Sequence, residues 1–127
     1  QIVMMMGLSD LKKGHPVNET YESFVRFVES LTDLLPQTEL IVLPILPFDP
    51  QSRSECRSIK PEDVAAYNML VKMYALEKGL SYVNLYDDFR TDERKLKGDL
   101  TAGDGFDLSM GAYVVWKDRL MPYLRLE

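Results

Sequence analysis

The sequence has little of several features that mark whole classes of protein. Its single cysteine, Cys56, excludes an internal disulfide framework and fits a reducing compartment, which favours a cytoplasmic location. Its longest apolar stretches, at residues 2–8 and 40–48, are far too short to span a membrane. Basic residues are also scarce, at 15 against 20 acidic ones. The resulting net charge of -5 disfavours non-specific binding to nucleic acid or to anionic lipid.

The composition is that of a globular protein. The 127 residues are 46% hydrophobic and 28% charged, which argues against disorder and leaves no room for two domains. We therefore expect a single domain over residues 1–127. The chain opens with Gln1 and runs directly into an apolar strand, with no initiator methionine and no signal-peptide pattern. This opening suggests that the chain is a piece from which upstream sequence is missing.

Hydrophobic patterning alternates between buried strands and amphipathic helices. The expected strands lie at residues 2–6, 40–46 and 80–86, and the expected helices lie at residues 21–35, 61–78 and from 109 onwards. Residues 9–20 are expected to form a loop, and residues 87–105 a long loop with a short helix near 91–96. This order predicts an α/β fold of three αβα layers, of the flavodoxin-like type, with a parallel sheet covered by helices.

The first strand indicates that the complete sheet has more than the three strands expected in this sequence. Its run of apolar residues, Ile2–Met6, is typical of a strand with neighbours on both sides, whereas a three-stranded sheet would leave it at an edge. We therefore expect a missing segment or a second chain to pair beside it.

Three polar segments follow the expected strands, at the sheet edge where α/β folds bind ligands. They cover residues 7–10, 46–49 and 103–109. In the last of them Asp104 and Asp107 stand three apart in a glycine-containing turn. Ordinary turn chemistry accounts for such a pair. A divalent metal site is a weaker alternative, because a third ligand is not apparent.

In their order and spacing, these segments resemble the C-terminal portion of SGNH/GDSL-family hydrolases. The family's Gly-x-Asn-Asp strand end reads Gly7-Leu8-Ser9-Asp10 here, and its helical Tyr-Asn pair corresponds to Tyr67-Asn68. Its Asp-Gly-x-His-Leu block reads Asp104-Gly105-Phe106-Asp107-Leu108. The resemblance runs from residue 2 to about residue 124. It implies ester or acyl hydrolysis by side chains alone, without a metal or an organic cofactor.

Two positions depart from the family pattern in the same expected pocket. The asparagine that donates to the oxyanion is replaced by Ser9, and the catalytic histidine is replaced by Asp107. The family's nucleophilic serine and glycine oxyanion donor belong to segments upstream of Ile2, outside this sequence. A carboxyl group titrates at about pH 4 in water, which makes it a poor base for a serine hydroxyl at neutral pH. It would also meet a like charge at Asp104, the carboxylate that orients the histidine in the family.

The resemblance assigns Asp104, Asp107 and Ser9 to the catalytic centre. It assigns Gly7, Asp10 and Pro47 to the binding of an ester or an acylated small molecule. From the two departures we predict an esterase-like domain that is catalytically impaired or inactive, a pseudoenzyme that binds a ligand or serves as a scaffold. Two alternatives stay open: an active serine hydrolase with its nucleophile upstream, and an RNA-binding relative, which the net charge disfavours.

Other reactive side chains are weaker candidates. His15, the only histidine, lies in the expected loop after the first strand, but nothing local positions it as a replacement base. Cys56 has Arg53 and Arg57 nearby to lower its pKa, but no paired histidine, so we expect a surface or half-buried thiol. The methionines at 4–6, 69 and 73 are expected to fill the core.

Overall fold

The computed structural model describes residues 1–103 and 107–124. The strands are β1 (Ile2–Met4), β2 (Leu40–Val42) and β3 (Ser81–Tyr82). The α-helices are α1 (Leu8–Lys12), α2 (Val17–Leu34), α3 (Pro61–Lys78), α4 (Leu85–Phe89) and α5 (Met110–Leu120). Short 3-10 helices occupy Pro50–Ser52, Ser54–Cys56, Gly98–Leu100 and Met121–Tyr123.

The three strands form one parallel sheet in the order β1-β2-β3. Ile2 lies opposite Leu40, and Met4 lies opposite Val42. The ladder between β1 and β2 ends where the backbone N–H of Leu43 donates to the carbonyl of Met4 at 2.8 Å. The predicted parallel sheet is therefore confirmed.

The alternating side chains of β2 enter two separate cores. Leu40 and Val42 pack with residues of α2 and α3, whereas Ile41 and Leu43 pack with residues of α4 and α5. Because successive side chains of a strand point to opposite faces, the sheet is covered by helices on both sides. This arrangement is the expected three-layer αβα fold.

Local signals placed the ends of α3 and α5 correctly. Pro61 is the first residue of α3, and Gly79 ends it with a φ of 71°, in the left-handed region that glycine adopts at helix C-termini. The Ser109 hydroxyl caps α5 by accepting a hydrogen bond from the N–H of Ala112 at 3.2 Å. No helix within the described residues combines the length and hydropathy of a membrane span.

The loop expected at residues 9–20 was wrong, because α1 and the first turn of α2 lie there. α1 buries Leu11, and a helix of five residues has too few turns to show a helical period in the sequence. Thr20 lies inside α2, where its hydroxyl donates to the carbonyl of Pro16 at 3.0 Å.

The helix expected near residues 91–96 was also wrong. The helix of this region is α4, further upstream, and the side chain of Asn84 caps it by accepting from the N–H of Asp87. Residues 91–95 instead form a turn closed by an antiparallel bridge between Arg90 and Leu96. The cap at Asn84 and the burial of Phe89 stabilise the helix at α4, upstream of the charged segment where it was expected.

The methionines were expected in the core, and most of them are not there. Met4 is buried, but Met5, Met69 and Met73 are 40%, 54% and 60% exposed. The first strand is likewise only partly buried, since Val3 is 41% exposed. In the described residues β1 is an edge strand with β2 on one side, so its other side is open.

Candidate functional site

β1 leads into a tight turn at Gly7, after which α1 begins. Gly7 has a φ of 118°, a conformation that side chains with a Cβ rarely adopt. A Cβ at this position would lie 2.6 Å from Cζ and 2.7 Å from the hydroxyl oxygen of Tyr67 on α3. Glycine is therefore required both by the backbone and by the aromatic ring beside it. The turn leaves Ser9 exposed and Asp10 half-buried in α1.

Two consecutive residues of α3 hold the ends of β1 and β2. The hydroxyl of Tyr67 donates to the carbonyl of Met6 at 2.7 Å. The amide of Asn68 accepts from the N–H of Ile45 and donates to its carbonyl, both at 2.9 Å. These backbone groups lie beyond the end of the strand ladder, so α3 supplies the partners that a neighbouring strand would supply.

The protonation state of Tyr67 suits this role. Burial raises the pKa of Tyr67, and the negative charge of Asp10 raises it further. The phenol therefore stays protonated at neutral pH and remains a hydrogen-bond donor to Met6.

A cleft of about 320 Å³ opens beside this turn. Its walls are mostly apolar, and Ser9 and Asp10 are among its lining residues. The lining residues are Met5, Met6, Gly7, Leu8, Ser9, Asp10 and Ile45. The structure thus brings together three of the predicted site residues, Gly7, Ser9 and Asp10.

Asp107 lies in a turn held by backbone pairing. Thr101 and Leu108 form an antiparallel bridge, and the N–H of Ala102 donates to the carbonyl of Asp107 at 2.8 Å. The carboxylate of Asp107, 61% exposed, accepts a hydrogen bond from Arg53 Nη2 at 2.9 Å. Asp104 lies outside the described residues. The orienting role predicted for it therefore stays a prediction.

The loop after β2 interacts both with α1 and with the Asp107 turn. Pro47 is buried at the start of this loop, and Arg53 reaches Asp107 from it. A hydrogen bond from its own backbone N–H lowers the pKa of Glu55, and the positive charge of Lys12 on α1 lowers it further. The charges of α1 and of this loop therefore act on each other.

Cys56 is not the accessible thiol that its position suggested. Its side chain is 0% exposed, and burial raises the pKa of the thiol, more than the charges of Lys12 and Arg53 lower it. A buried, protonated thiol is a poor nucleophile, so Cys56 belongs to the core.

His15 is exposed and lies in a different cleft. Its Nδ1 is 3.5 Å from a carboxylate oxygen of Glu19. This second cleft, of about 340 Å³, shares only Asp10 with the cleft beside Ser9. Within the described residues, no group of three or more histidine, cysteine or acidic side chains is arranged to hold a metal ion.

Two features of the site escaped the sequence analysis. The Tyr67-Asn68 pair was visible as a motif, but its contacts were not. Arg53 was considered only as a neighbour of Cys56, and nothing local links it to Asp107, 54 residues away. A partner at that separation becomes visible only when the loops are placed in space.

Comparisons with known proteins agree with the family resemblance and with the fold. The GDSL-like lipase/acylhydrolase family matches residues 1–113. Similar solved structures include a candidate platelet activating factor from Streptococcus pneumonia, with a TM-score of 0.81 and 25% identity over 98% of this chain and 59% of that one. A GDSL-like lipase from Bacteroides thetaiotaomicron has a TM-score of 0.80 and 17% identity over 95% of this chain and 60% of that one. The esterase domain of a zebrafish retrotransposon ORF1 protein has a TM-score of 0.70 and 19% identity, over 87% and 60% of the two chains.

The chain spans about three-fifths of the length of these solved structures. A comparison with curated proteins found no significant match.

Proposed function

Since this chain belongs to the GDSL-like lipase/acylhydrolase family, we propose that it binds an ester or acylated small molecule and hydrolyses it poorly or not at all. The observation that carries the second half of this proposal is the ion pair between Arg53 and Asp107. At the position where the resemblance puts an imidazole, there is a carboxylate already bonded by a guanidinium at 2.9 Å. A carboxylate held by a guanidinium hydrogen bond stands where the family's reaction uses an imidazole as its base.

The cleft beside Ser9 supports the binding part of the proposal. Its volume of about 320 Å³ and its apolar walls suit a short acyl chain. Ser9 is exposed and lines this cleft, and its hydroxyl can donate a hydrogen bond to the carbonyl oxygen of an ester. Under this proposal, Ser9 is the hydrogen-bond donor that replaces the family's asparagine.

An ester-hydrolysis assay on the intact protein tests this proposal. We expect no organophosphate-sensitive hydrolysis of p-nitrophenyl butyrate. We also expect saturable binding of ethyl butyrate. The matched variant is Asp107→His, which introduces the family's base and should raise any serine-dependent turnover. Organophosphate-sensitive hydrolysis by the native protein would contradict the proposed impairment and favour an active hydrolase. Absence of ester binding would contradict the ligand class.

The open side of β1 supports a proposal about a partner. A groove of about 550 Å³ runs along it, lined by Ile2–Met6 with Phe27 and Leu31 of α2. Phe27 is 48% exposed. Exposure of a large apolar side chain beside an unpaired strand edge is unfavourable and indicates a surface that a partner covers. We propose that an apolar strand from polypeptide outside these 127 residues pairs here, parallel to β1. The similar solved structures support this, because about two-fifths of their chains have no counterpart here.

The register of β1 identifies the amides that would pair with such a strand. Ile2 donates to Glu39, and the carbonyl of Met4 accepts from Leu43, so these residues face β2. Because backbone groups alternate along a parallel strand, Val3 and Met5 face the open side.

Amide hydrogen exchange on the intact protein tests the pairing. We expect slow exchange at Val3 and Met5, comparable with exchange at Ile2, which is paired to β2. Fast exchange at Val3 and Met5 alone would overturn the proposal. Slow exchange that disappears on dilution, with a dimer mass in solution, would show that the partner is a second copy and would contradict the parallel segment proposed here.

A further inference from the structure

We infer that Tyr67 and Asn68 are positioning residues of the cleft beside Ser9. They fix the two walls of the cleft relative to each other and set the turn that presents Ser9. The identity of the ligand in this inference rests on the function proposed above, whereas the geometry does not.

Tyr67 controls the first wall. Its hydroxyl holds the carbonyl of Met6, and its ring fills the space beside Gly7. Met6 and Gly7 both line the cleft, and α1 with Ser9 follows at once. The direction in which α1 leaves β1 therefore depends on a single aromatic side chain of α3.

Asn68 controls the second wall. It bonds both backbone groups of Ile45, which lines the cleft from the β2 side. A single amide that satisfies the N–H and the carbonyl of one residue fixes that residue in two directions. Since Tyr67 and Asn68 are adjacent on one helix, α3 holds Met6 and Ile45 relative to each other beyond the point where the strand pairing ends.

A purely stabilising role is the competing explanation, and α3 offers a matched control. Tyr74 lies two turns after Tyr67 and is also buried. Its ring packs edge-on against Phe24 of α2, with the ring centres 5.7 Å apart. Tyr74→Phe therefore removes a hydroxyl from the same helix away from the strand ends, whereas Tyr67→Phe removes the bond to Met6.

Two amides report on the local geometry and on the rest of the fold. The N–H of Leu11 donates to the carbonyl of Gly7 at 3.1 Å and so reports on the turn. The N–H of Val83 donates to Val42 at 3.1 Å, on the other side of the sheet, and serves as the reference.

The test is amide hydrogen exchange together with ethyl butyrate binding, on the intact native protein and on both variants. In Tyr67→Phe we expect exchange at Leu11 to accelerate about tenfold, with Val83 unchanged and the affinity for ethyl butyrate reduced about tenfold. In Tyr74→Phe we expect equal changes at both amides and unchanged affinity. A second variant, Asn68→Ala, should accelerate exchange at Ile45.

Each outcome decides the inference. Equal acceleration at Leu11 and Val83 in Tyr67→Phe, or no acceleration at either, would overturn it, since the role would then be global or absent. If Asn68→Ala does not fold, Tyr67→Phe still decides the inference, because it keeps the ring and the packing. If neither the native protein nor the variants bind the ester while exchange changes only at Leu11, the proposed ligand is wrong and the positioning role stands.

Discussion

Replacing Gly7 by alanine should be among the most damaging single-methyl additions in this chain. The new Cβ would lie 2.6 Å from Cζ of Tyr67, well inside the contact distance of two carbon atoms. The Tyr67 ring cannot easily move away, because its hydroxyl is bonded to the carbonyl of Met6. The backbone at Gly7 also has a φ of 118°, which alanine adopts only with strain.

The magnitude follows from these two costs. Backbone strain of this kind costs about 1 to 3 kcal/mol. Overpacking a well-filled site costs about 1 to 3 kcal/mol more. We therefore expect Gly7→Ala to lower the free energy of unfolding by about 4 kcal/mol, a large share of the roughly 5 to 15 kcal/mol typical of a domain.

Gly14 provides the control that separates the two costs. Its φ is 86°, but a Cβ there would meet no heavy atom within 4 Å. Gly14→Ala therefore carries the backbone cost alone, about 1 kcal/mol. Urea unfolding of both variants of the intact protein, followed by circular dichroism, gives the two free energies.

Equal losses in the two variants would refute the argument from the Tyr67 ring. A Gly7→Ala protein that fails to fold, beside a folded Gly14→Ala protein, agrees with it. A loss below about 1 kcal/mol at Gly7 would show that the ring gives way at little cost.

Three further predictions concern buried or charged groups. Asn68→Leu should cost about 2 to 4 kcal/mol in urea unfolding, because it leaves the buried N–H and carbonyl of Ile45 without partners; a loss under about 0.5 kcal/mol would contradict the double hydrogen bond. Cys56 should resist a thiol reagent in the native protein and react fully after denaturation, since it is buried and burial raises the pKa of its thiol; rapid native labelling would refute its burial. Hydrogen bonds, first from Arg90, lower the pKa of Asp87 in the folded state. The ionised Asp87 therefore stabilises the folded protein above about pH 4, and this stabilisation is lost as the pH falls through the lower pKa of the folded state. Arg90→Gln should therefore make the urea midpoint fall less steeply below pH 4, by a small amount because both side chains are partly exposed; an unchanged acid profile would remove Asp87 as a contributor.

Much of the fold could be predicted because its signals are local. α3 begins at a proline and ends before a glycine, and each signal acts within a few residues of the helix end. β1 and β2 were visible as short apolar runs, whereas the strand expected at 80–86 ends at Tyr82 and α4 begins at Leu85. The short helix α1 was missed, because five residues carry no usable period and Gly7 gives no sign of the conformation that the fold imposes on it.

The exposed methionines show a different limit. Hydrophobicity predicts that a side chain prefers burial, but it does not supply the surface that buries it. Met69 and Met73 lie on the outer side of α3, and Met5 lies at the open side of the sheet. Whether such residues are covered depends on neighbours that the apolar pattern does not name.

For the candidate site, residue order predicted that the strand ends gather at one edge of the sheet, and Gly7 and Ser9 do follow β1 and line one cleft; the catalytic and binding roles assigned to the site residues stay predictions. The chain order of strands and helices dictates a parallel sheet, and a parallel sheet gathers its strand ends at one edge. Which side chains then hold that edge together was settled by packing. Tyr67 reaches Met6 across 61 residues, and Arg53 reaches Asp107 across 54. Such contacts leave no trace in local patterns, because they come into being only when separate elements are folded against one another.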